Sequence, residues 1–528
     1  MKAQCIVMAL VAAFMNLSAQ AQTKDWPSYN RSLTSDRYAT VSDIDTKNVS
    51  KLKVLCSFDT GEQTSFQTGL VQVDGELYAT TEHNTFALDP NTCKQHWRSH
   101  EDFAAGELKV NRGVAWLDHR VFRGTTDGKV VAYDGRNGKR LWATSIADPA
   151  KGESVPAAPI AWNGIVFIGN AGGDNKGVKG RMYALDEKDG HIVWEFYMVP
   201  KEAGDQARGP QAPGSADAAG WKNAKGFPIS GGASWASYSL DPKTGLLYVP
   251  GGNPAPDFQN TPRPGENLYA SSIVVLDAKT GAYQRHFQLV KRDFHDWDVS
   301  SAPALFLNRT GKRLMAEAPK DGHLYLIDLA GGKLVFRKPM TTVANVEAPM
   351  SKQGTRFCPG SQGGAEWNGA AFDAADNLLF TGEVDWCTTV QAVPEETLQT
   401  DPAGKPWSGA TTGFGQMDDS KKWAGFLTAS DADTGVRKWQ FKAPFPLLGG
   451  VTPTSGRLLL FGDMGGNLYA FDAASGQKLW SMDLGGAIGG GVITYDTGMG
   501  QKIAVAAGMV SPIWPTPKIN GKVVVLGL

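Results

Sequence analysis

The sequence predicts an all-β protein built from copies of one four-stranded unit, and three observations support this fold class. Seven short segments repeat one pattern, in which an apolar strand leads through an aspartate and a glycine turn into a second strand. The composition, with 62 Gly, 29 Pro and 16 Trp in 528 residues, is typical of many strands joined by tight turns. No segment has the length and spacing of a long amphipathic helix. Such a repeat indicates a supersecondary unit that is copied around an axis.

The repeat spacing indicates the number of units. The seven copies are FALDPNTCKQHW (86–97), VAYDGRNGKRLW (131–142), YALDEKDGHIVW (183–194), VVLDAKTGAYQR (274–285), YLIDLAGGKLVF (325–336), TASDADTGVRKW (428–439) and YAFDAASGQKLW (469–480). Successive aspartates lie 41 to 52 residues apart, except for two gaps of 91 and 103 residues. We interpret these long gaps as places for degenerate copies, LDPKTGLLYVP (240–250) and FDAADNLLFTG (372–382). The total then approaches eight units.

The two ends of the repeat region carry the strands that are expected to complete the last unit. These strands are LKVLCSF (52–58) and KVVVLGL (522–528). Their pairing would close a ring and remove the exposed sheet edges that invite aggregation. The predicted architecture is therefore an eight-bladed β-propeller, in which the repeated tryptophans pack between neighbouring blades. These tryptophans are Trp97, Trp142, Trp194, Trp439 and Trp480.

Two stretches interrupt the rhythm of the strands. Residues 198–230 are rich in Pro, Gly and Ala, and residues 388–424 are polar and irregular. Insertions of this kind usually lie on one rim of a propeller, where they shape a pocket.

The first 21 residues have the features of a secretory signal. Lys2 is followed by a mostly apolar run from Cys5 to Leu17 and by the cleavage pattern Ala19-Gln20-Ala21. The run is too short to span a membrane, and no later segment does so. We therefore expect a single domain over residues 22–528 in the periplasm. The net charge of −1 argues against nucleic acid and anionic membrane surfaces as partners.

Removal of the signal would leave four cysteines, which argues for two disulfides in an exported protein. Three pairings are possible. We favour Cys56–Cys93 and Cys358–Cys387, because each pair lies within one repeat unit. The chain has no CxxCH motif and so no site for covalent haem c. Electrons from a redox reaction would then have to leave to another protein.

The segments between the repeats resemble those of a known enzyme family. The resemblance begins at DWPSYNRSLTSDRYATVSDIDTKNVSKLK (25–53) and continues through VNRGVAW (110–116), AGGDNKGVKGRMYALD (171–186), GGASWASYSLDPKTGLLYVPGGNPAPDF (231–258), RPGENLYASSIVVLDAKTG (263–281), DFHDWDVSSAPAL (293–305), APKDGHLY (318–325), GGAEWNGAAFD (363–373) and GGAIGGGVITY (485–495). These segments cover nearly the whole mature chain and occur in the same order as in the quinoprotein alcohol dehydrogenases, to which the chain is similar. These are eight-bladed propellers that bind pyrroloquinoline quinone (PQQ) and a metal ion on the axis.

The resemblance implies a metal site of oxygen ligands. Asp174, Asn253 and Asp296 match the family's ligand positions, and such ligands suit a hard cation such as Ca²⁺. Asp298 matches the aspartate that marks lanthanide use in related enzymes, so a lanthanide ion is an alternative. Without a metal, Asn253 would be a turn residue, and Asp174 and the acids of 293–298 would be solvated loop carboxylates.

The resemblance also implies a site for the planar tricarboxylate PQQ. Arg112 matches the arginine that binds a quinone carboxylate, Trp235 the indole under the ring, and Lys320 the cation beside the reactive carbonyls. The other matched positions are Gln67, Gly172, Gly173 and Trp514. The alternatives are a surface salt bridge for Arg112 and a core role for Trp235.

The sequence departs from the family at several cofactor contacts. Gly106-Glu107 stand where many relatives have two adjacent cysteines, Gln67 replaces a glutamate and Glu366 replaces an asparagine. Family hydroxyl contacts are replaced by Pro156, Ala171 and Ala233. These departures leave open how tightly PQQ is held.

Two classes of function follow from the sequence. The first is a PQQ-dependent alcohol dehydrogenase, in which Asp296 takes the proton of a small-molecule alcohol as general base and hydride passes to the quinone. A cytochrome c or a quinone would then accept the electrons. The second is a non-catalytic scaffold of the outer-membrane assembly type. A scaffold has no need of the acidic cluster or of Arg112, so we favour the enzyme.

Overall fold

The computed structural model describes residues 24–106 and 108–528, and the regular secondary structure of this part of the chain is almost entirely β-strand. Its strands form eight four-stranded sheets, one three-stranded sheet and one two-stranded sheet. The described helical segments are α1 (Glu395–Thr400) and the 3₁₀ turns Val49–Lys51, Pro149–Lys151, Ala218–Gly220 and Ser420–Lys422. No helix among these residues is long and apolar enough to cross a membrane. The predicted signal over residues 1–21 lies outside the described residues.

The strands are short and follow one another through the sheets. In chain order they are β1 (Lys53–Asp59), β2 (Val71–Val73), β3 (Glu76–Thr80), β4 (Asn84–Leu88), β5 (Gln95–His100), β6 (Ala115–Leu117), β7 (Arg120–Gly124), β8 (Lys129–Asp134), β9 (Arg140–Ser145), β10 (Ile160–Trp162), β11 (Ile165–Gly169), β12 (Arg181–Asp186), β13 (Ile192–Tyr197), β14 (Ser230–Gly231), β15 (Ser239–Asp241), β16 (Leu246–Pro250), β17 (Pro254–Ala255), β18 (Ser272–Asp277), β19 (Tyr283–Gln288), β20 (Ala304–Leu307), β21 (Arg313–Glu317), β22 (His323–Asp328), β23 (Lys333–Pro339), β24 (Thr355–Phe357), β25 (Ala371–Asp373), β26 (Leu378–Asp385), β27 (Thr388–Val390), β28 (Gln416–Met417), β29 (Ala424–Asp431), β30 (Arg437–Ala443), β31 (Thr452–Pro453), β32 (Leu458–Gly462), β33 (Asn467–Asp472), β34 (Lys478–Asp483), β35 (Val492–Asp496), β36 (Gln501–Ala507) and β37 (Lys522–Gly527).

Each four-stranded sheet pairs its strands antiparallel. We number the sheets along the chain: sheet 1 is β2–β5, sheet 2 is β6–β9, sheet 3 is β10–β13, sheet 4 is β15, β16, β18 and β19, sheet 5 is β20–β23, sheet 6 is β25, β26, β29 and β30, sheet 7 is β31–β34, and sheet 8 is β35, β36, β37 and β1. The first strands of sheets 2 and 3, and of successive sheets from 4 to 8, contact one another. The small sheets are β14 with β17, and β24 with β27 and β28.

The interpretation of the two long gaps as degenerate copies is wrong. Residues 240–250 lie in the first two strands of sheet 4, the sheet whose third strand ends at Asp277. Residues 372–382 lie likewise in sheet 6, whose third strand ends at Asp431. The gaps are long because insertions precede or interrupt these two sheets. Each of the seven copies of the motif therefore belongs to a different four-stranded sheet.

Sheet 8 joins the two ends of the repeat region, as predicted. Strand β1 pairs antiparallel with β37 along its whole length, from Lys53 opposite Gly527 to Asp59 opposite Lys522. Because β1 comes from one end of the region and β35–β37 from the other, the fourth strand of this sheet is held by contacts distant in sequence.

The repeated tryptophans connect successive sheets. Four of them donate the indole N–H, at 2.9–3.1 Å, to the backbone carbonyl that follows the repeated aspartate in the next sheet. The pairs are Trp97 with Gly135, Trp142 with Glu187, Trp194 with Ala278 and Trp439 with Ala473. Trp480 packs on the core cluster of sheets 7 and 8. The predicted packing role of these residues is confirmed.

The motif's glycine and aspartate complete this contact. A side chain at Gly281, whose φ is +71°, would place Cβ only 2.6 Å from the Trp194 ring. Asp277 Oδ1 accepts the N–H groups of Lys279 and Thr280 and so stabilises the turn that carries this glycine. Aspartate, glycine and tryptophan therefore act as one unit that spans two sheets.

Both predicted disulfides are present. Cys56 bonds to Cys93 with Cα atoms 5.8 Å apart, and Cys358 bonds to Cys387 at 4.6 Å. The first ties β1 of sheet 8 to the turn between β4 and β5 of sheet 1, so it crosses between sheets and does not lie within one unit. The pairing was predicted correctly, but the reason for it, that both cysteines lie within one repeat unit, does not hold for Cys56–Cys93.

Antiparallel pairing determines where the loops of each sheet lie. The loop that enters the first strand and the loop between the second and third strands emerge at the same end of a four-stranded sheet. We call this the upper end. The motif turns, between third and fourth strands, lie at the opposite, lower end.

The substitution Trp194→Phe tests the contact between sheets. It removes the indole N–H while keeping most of the ring, and it leaves the Ala278 carbonyl without its donor. We expect a loss of about 1–3 kcal/mol in the free energy of unfolding, measured by urea denaturation. Trp162→Phe, at a half-exposed tryptophan outside the motif, is the control. An equal effect of both substitutions would contradict the role of the bond.

Candidate active site

Every residue that the sequence analysis assigned to the site lies in a loop at the upper end of the sheets. Loops entering a first strand carry Gln67, Arg112, Trp235, Asp296 and Asp298, and loops between second and third strands carry Gly172, Gly173, Asp174, Asn253, Lys320 and Trp514. The topology therefore places all of them on one face, although they are spread over more than 400 residues of chain.

Three carboxylates form the centre of the site. Asp174, Asp257 and Asp296 each offer an oxygen within 4.8 Å of the other two. Asn253 Nδ2 donates to Asp257 Oδ1 at 3.0 Å, which adds the predicted amide to the group. Sequence reasoning missed Asp257. The one signal that could have found it is its position, four residues after Asn253.

One atom of this centre has no hydrogen-bond partner among the described residues. Asp296 is buried, with 2% of its surface exposed, and its Oδ2 accepts no hydrogen bond. An unpaired buried carboxylate oxygen is costly unless a cation or a proton satisfies it. The donor set and this free oxygen both fit a hard metal ion.

Burial raises the pKa of all three acids. The pKa of Asp174 rises to about 6, because burial and the neighbouring Asp298 disfavour its charge. Burial likewise raises the pKa values of Asp257 and Asp296 well above the usual range, and the other acids of the group add to this. The three can all be ionised at neutral pH only with additional positive charge.

Lys320 supplies part of that charge. Its Nζ lies 2.7 Å from Asp298 Oδ2 and 3.7 Å from Asp296 Oδ2. Burial acts to lower the pKa of Lys320, but Asp296 and Asp298 raise it well above its usual value, so the ammonium stays charged. The lysine is therefore beside the carboxylate that was predicted as general base.

Asp298 is the immediate neighbour of the three-carboxylate group. Its Oδ1 accepts the backbone N–H of Asn253 at 3.0 Å, and its Oδ2 binds Lys320. Both oxygens thus have partners in this structure. The expectation that Asp298 ligates a metal stays a prediction.

The sequence around Asp296 uses a third acid to shape the loop. Asp293 accepts the N–H groups of His295 at 3.1 Å and Trp297 at 3.0 Å, so its charge is satisfied by the backbone. Asp296 lies between them with φ of +64°, a conformation that is unusual for a residue with a side chain. The His295 ring stacks on Trp297 at 4.0 Å. Asp293 and His295 are therefore structural parts of the turn.

An aromatic surface with two cations lies beside the acids. The Arg112 guanidinium carbon is 4.5 Å from the centre of the Trp235 ring, and Lys320 Nζ is 5.6 Å from it. Arg112 is also 5.3 Å from the Trp367 ring, which the sequence analysis had not selected. Burial lowers the pKa of Arg112 to about 10, so it remains a cation at neutral pH. Since Arg112 is buried, a surface salt bridge is the wrong interpretation.

Several polar atoms of the upper loops have no hydrogen-bond partner among residues 24–106 and 108–528. They are Arg112 Nε, Gln67 Oε1 and Glu366 Oε1. Burial raises the pKa of Glu366 to about 7, although Lys320 and Arg112 act against this. Two cations, an indole face and unpaired polar atoms fit a flat, anionic ligand such as PQQ.

The remaining predicted cofactor positions have structural neighbours of their own. A Cβ on Gly172 would lie 2.1 Å from Gly152 O, and one on Gly173 would lie 3.0 Å from Ala233 Cβ. Trp514 lies in the apolar cluster against which Trp235 packs, with its ring 5.6 Å from Trp386. Their contact with a cofactor stays a prediction. Glu107, at the departure from the family cysteines, lies outside the described residues.

The second insertion covers the loop that carries Asp174, as expected of a rim insertion. Trp407 N donates to Asp174 O at 2.8 Å, and Lys176 Nζ donates to the carbonyls of Leu398, Gln399 and Asp401 at 2.8–2.9 Å. The carbonyls come from the short helix α1 and its C-terminal end. The insertion therefore restrains one side of the acidic centre.

Comparison with known proteins agrees with this arrangement. The family profile of the glucose/ethanol/alcohol dehydrogenase β-propeller domain, a PQQ family, matches residues 26–347 and 340–425. A profile of the outer membrane protein assembly factor BamB matches residues 424–521.

Relatives of similar length support the same assignment. The chain is 30% identical to the quinoprotein alcohol dehydrogenase PedH of Pseudomonas putida, covering 90% of this chain and 85% of the relative. It is 29% identical to the lanthanide-dependent methanol dehydrogenase of Methylacidiphilum fumariolicum, over 89% and 82%. The structure of a europium-containing methanol dehydrogenase superposes with a TM-score of 0.84 at 26% identity, over 96% and 98%. The chain belongs to the family of PQQ-dependent alcohol dehydrogenases, oxidoreductases that act on CH–OH groups.

The buried acid Glu317 gives a pH-dependent prediction. Its carboxyl accepts from Ser301 Oγ at 2.7 Å, and burial raises its pKa to about 8. The folded state therefore binds this proton more tightly than the unfolded state, whose pKa is near 4.5. Stability from this group is present below about pH 4.5 and is lost as the pH rises to about 8.

Glu317→Gln should remove this loss. We expect the unfolding free energy of the wild type to fall relative to the variant by about 4 kcal/mol between pH 4.5 and pH 9. Urea denaturation at several pH values measures the difference, with the exposed Glu347→Gln as control. A difference between wild type and Glu317→Gln that does not change with pH would contradict the prediction.

Proposed function

We propose that this protein is a periplasmic PQQ-dependent alcohol dehydrogenase that oxidises an alcohol to an aldehyde or ketone. The observation that carries the proposal is the group of carboxylates at Asp174, Asp257 and Asp296, of which the last two are buried and the first is half-buried. This group lies beside Lys320 and the Trp235 face. A binding scaffold gains nothing from burying like charges together, whereas an oxidoreductase with a metal ion requires such a group.

The cofactor residues are assigned as follows. Asp174, Asn253, Asp296 and Asp298 would hold Ca²⁺ or a lanthanide ion. Arg112 and Lys320 would bind the acids and carbonyls of PQQ over Trp235, with Gln67, Gly172, Gly173 and Trp514 around it. When bound, PQQ supplies the two-electron acceptor for the alcohol, and the cation supplies positive charge beside it.

Asp296 is the proposed general base. Its Oδ2 is buried and accepts no hydrogen bond from the described residues, so it is free to accept one from a substrate hydroxyl and then its proton. Lys320, 3.7 Å away, stabilises the ionised form of Asp296 that this task requires. The left-handed backbone at Asp296 and the two N–H bonds to Asp293 hold this carboxylate in position.

The substrate is proposed to be a small-molecule alcohol without charge, and an external cytochrome c or quinone is the proposed electron acceptor. A neutral substrate is supported by the site's charges, because Arg112 and Lys320, the cations near Trp235, are assigned to the cofactor and the nearby acids would repel an anion. The export to the periplasm rests on the predicted signal segment.

The eight four-stranded sheets are proposed to be the blades of one closed propeller, forming a single domain over residues 22–528. Support comes from the tryptophan contacts between successive sheets and from the pairing of β1 with β37. A ring of this kind brings loops from every sheet to one axis, where the proposed metal and cofactor would lie.

The scaffold alternative deserves a test, because the profile of the assembly factor matches residues 424–521. None of the acids of the central group lies in that segment. Reconstitution with PQQ and with Ca²⁺ or La³⁺, followed by dye reduction across a panel of alcohols, separates the two functions. Failure of the wild type to bind PQQ with either ion would favour the scaffold.

Asp296→Asn is the decisive variant. We expect turnover to fall by about 10²–10⁴-fold, because the amide cannot accept the hydroxyl proton. Dye reduction at saturating PQQ and metal measures it. The control is Glu317→Gln, another exchange of a buried acid for an amide, which should keep activity because Glu317 is already protonated at neutral pH, with its pKa near 8. Full activity of Asp296→Asn would refute its role as base.

A further inference from the structure

The residue Asp257 has no role in the function derived from the sequence, yet it lies in the acidic centre. Its carboxylate is within 4.8 Å of those of Asp174 and Asp296, and 4% of its surface is exposed. It lies two residues after β17, and Asn253, directly before β17, donates to it through Nδ2. Any ion that contacts both Asp174 and Asp296 would therefore also be close to Asp257.

A second observation points to a ligand at this place. Asp296 Oδ2 is buried and has no hydrogen-bond donor among the described residues, and it belongs to one of the three carboxylates that converge. Asp257 Oδ1 has a donor in Asn253, but this is a neutral amide that cannot balance a charge. The group therefore combines three converging acids with an oxygen that lacks a hydrogen-bond donor among the described residues.

The charges around the group determine which ion would balance it. Asp174, Asp257, Asp296 and Asp298 are four acids, and Lys320 is the cation that contacts them, at Asp296 and Asp298. Two other buried cations lie nearby: Arg112 is close to Glu366 and Asp298, and Arg263 is close to Asp293 and Asp257. Their two positive charges are matched by the charges of Glu366 and Asp293, so they do not change the sum over the four acids and Lys320. With all four acids ionised, as ligands must be, the formal charge is −3.

We propose that Asp257 is an additional ligand of the cation and that its charge makes the site prefer a trivalent ion over a divalent one. This inference rests on the proposed function, since it concerns the metal of that same site. A trivalent ion balances the formal charge, whereas a divalent ion leaves one uncompensated negative charge in a buried place, where charge is costly. A tricarboxylate cofactor beside the ion adds negative charge and strengthens the preference.

The variant Asp257→Asn tests the proposal without disturbing the local fold. The amide has the same shape, and its carbonyl oxygen can still accept the bond from Asn253 Nδ2. The substitution removes one negative charge and replaces one of the two carboxylate oxygens, a possible ligand of the ion, by an NH₂ group. Binding is measured by terbium luminescence sensitised by tryptophan, with La³⁺ and Ca²⁺ as competitors, first without PQQ and then with one equivalent.

We expect Asp257→Asn to weaken La³⁺ binding by at least about 100-fold and Ca²⁺ binding by about tenfold. The preference for the trivalent ion should thus fall by about tenfold. An unchanged ratio of the two affinities overturns the proposal, and so does a wild type that binds neither ion with or without PQQ.

The control removes a different acidic group. Asp186, Asp189 and His191 also lie within 4.8 Å of one another, but Asp189 and His191 are exposed. This group could bind terbium weakly at the surface, so Asp189→Asn is combined with each protein to exclude that signal. Asp189→Asn alone should keep the La³⁺ and Ca²⁺ affinities of the central site.

Thermal unfolding distinguishes a ligand from a merely structural residue. In EDTA, Asp257→Asn should unfold at a higher temperature than the wild type, because it relieves repulsion among buried acids. Saturating La³⁺ should raise the unfolding temperature less in the variant than in the wild type. A variant that is less stable in EDTA and gains as much from La³⁺ would indicate a structural role and overturn the proposal. Neither measurement uses an alcohol, so cation binding without turnover would refute the proposed function alone.

Discussion

The docking of a tryptophan from one sheet on the glycine turn of the next is the contact on which the rest of the structure depends. It combines burial of a large ring with a bond from the indole to a backbone carbonyl, and it needs a glycine because a side chain would collide with the ring. The aspartate of the motif holds that turn through its own backbone bonds. Because the contact recurs at the lower end of the sheets, it sets their order while using none of the loops at the upper end.

A site can form at the upper end because the upper loops are not needed to hold the sheets together. The loops are long and irregular, and they need only approach one another, since the sheets beneath are held by other contacts. Asp174, Asn253, Asp296 and Lys320 come from three different sheets and the connection between two of them. Their distances are therefore a consequence of sheet order, and a local change in one loop leaves the others in place.

The acidic centre concentrates like charges that only a cation can fully balance. Three buried or half-buried carboxylates with raised pKa values lie together, and one of their oxygens has no hydrogen-bond donor among the described residues. Lys320 neutralises only part of their charge. Three features hold the carboxylates close together: the positive φ of Asp296, the turn that Asp293 stabilises, and the hydrogen bond from the second insertion to the Asp174 loop. A bound cation would convert the repulsion among the acids into attraction, which explains why so many elements hold them close.

The sequence by itself predicted the repeat, the closing strands, the tryptophan contacts and the cysteine pairs, whereas the candidate site residues came from the resemblance to a known family. The repeat and its tryptophans follow from local patterns, since a turn motif and a strand pattern express their structure within a dozen residues. Only the tertiary structure decided that residues 240–250 and 372–382 belong to sheets already counted, because strand pairing across an insertion is invisible in a local pattern. It also decided that Asp257 joins Asp174 and Asp296 while Asp293 turns to the backbone. The physical reason is that neighbouring acids in the chain diverge or converge according to backbone torsion and the packing of distant loops, which composition and spacing do not encode.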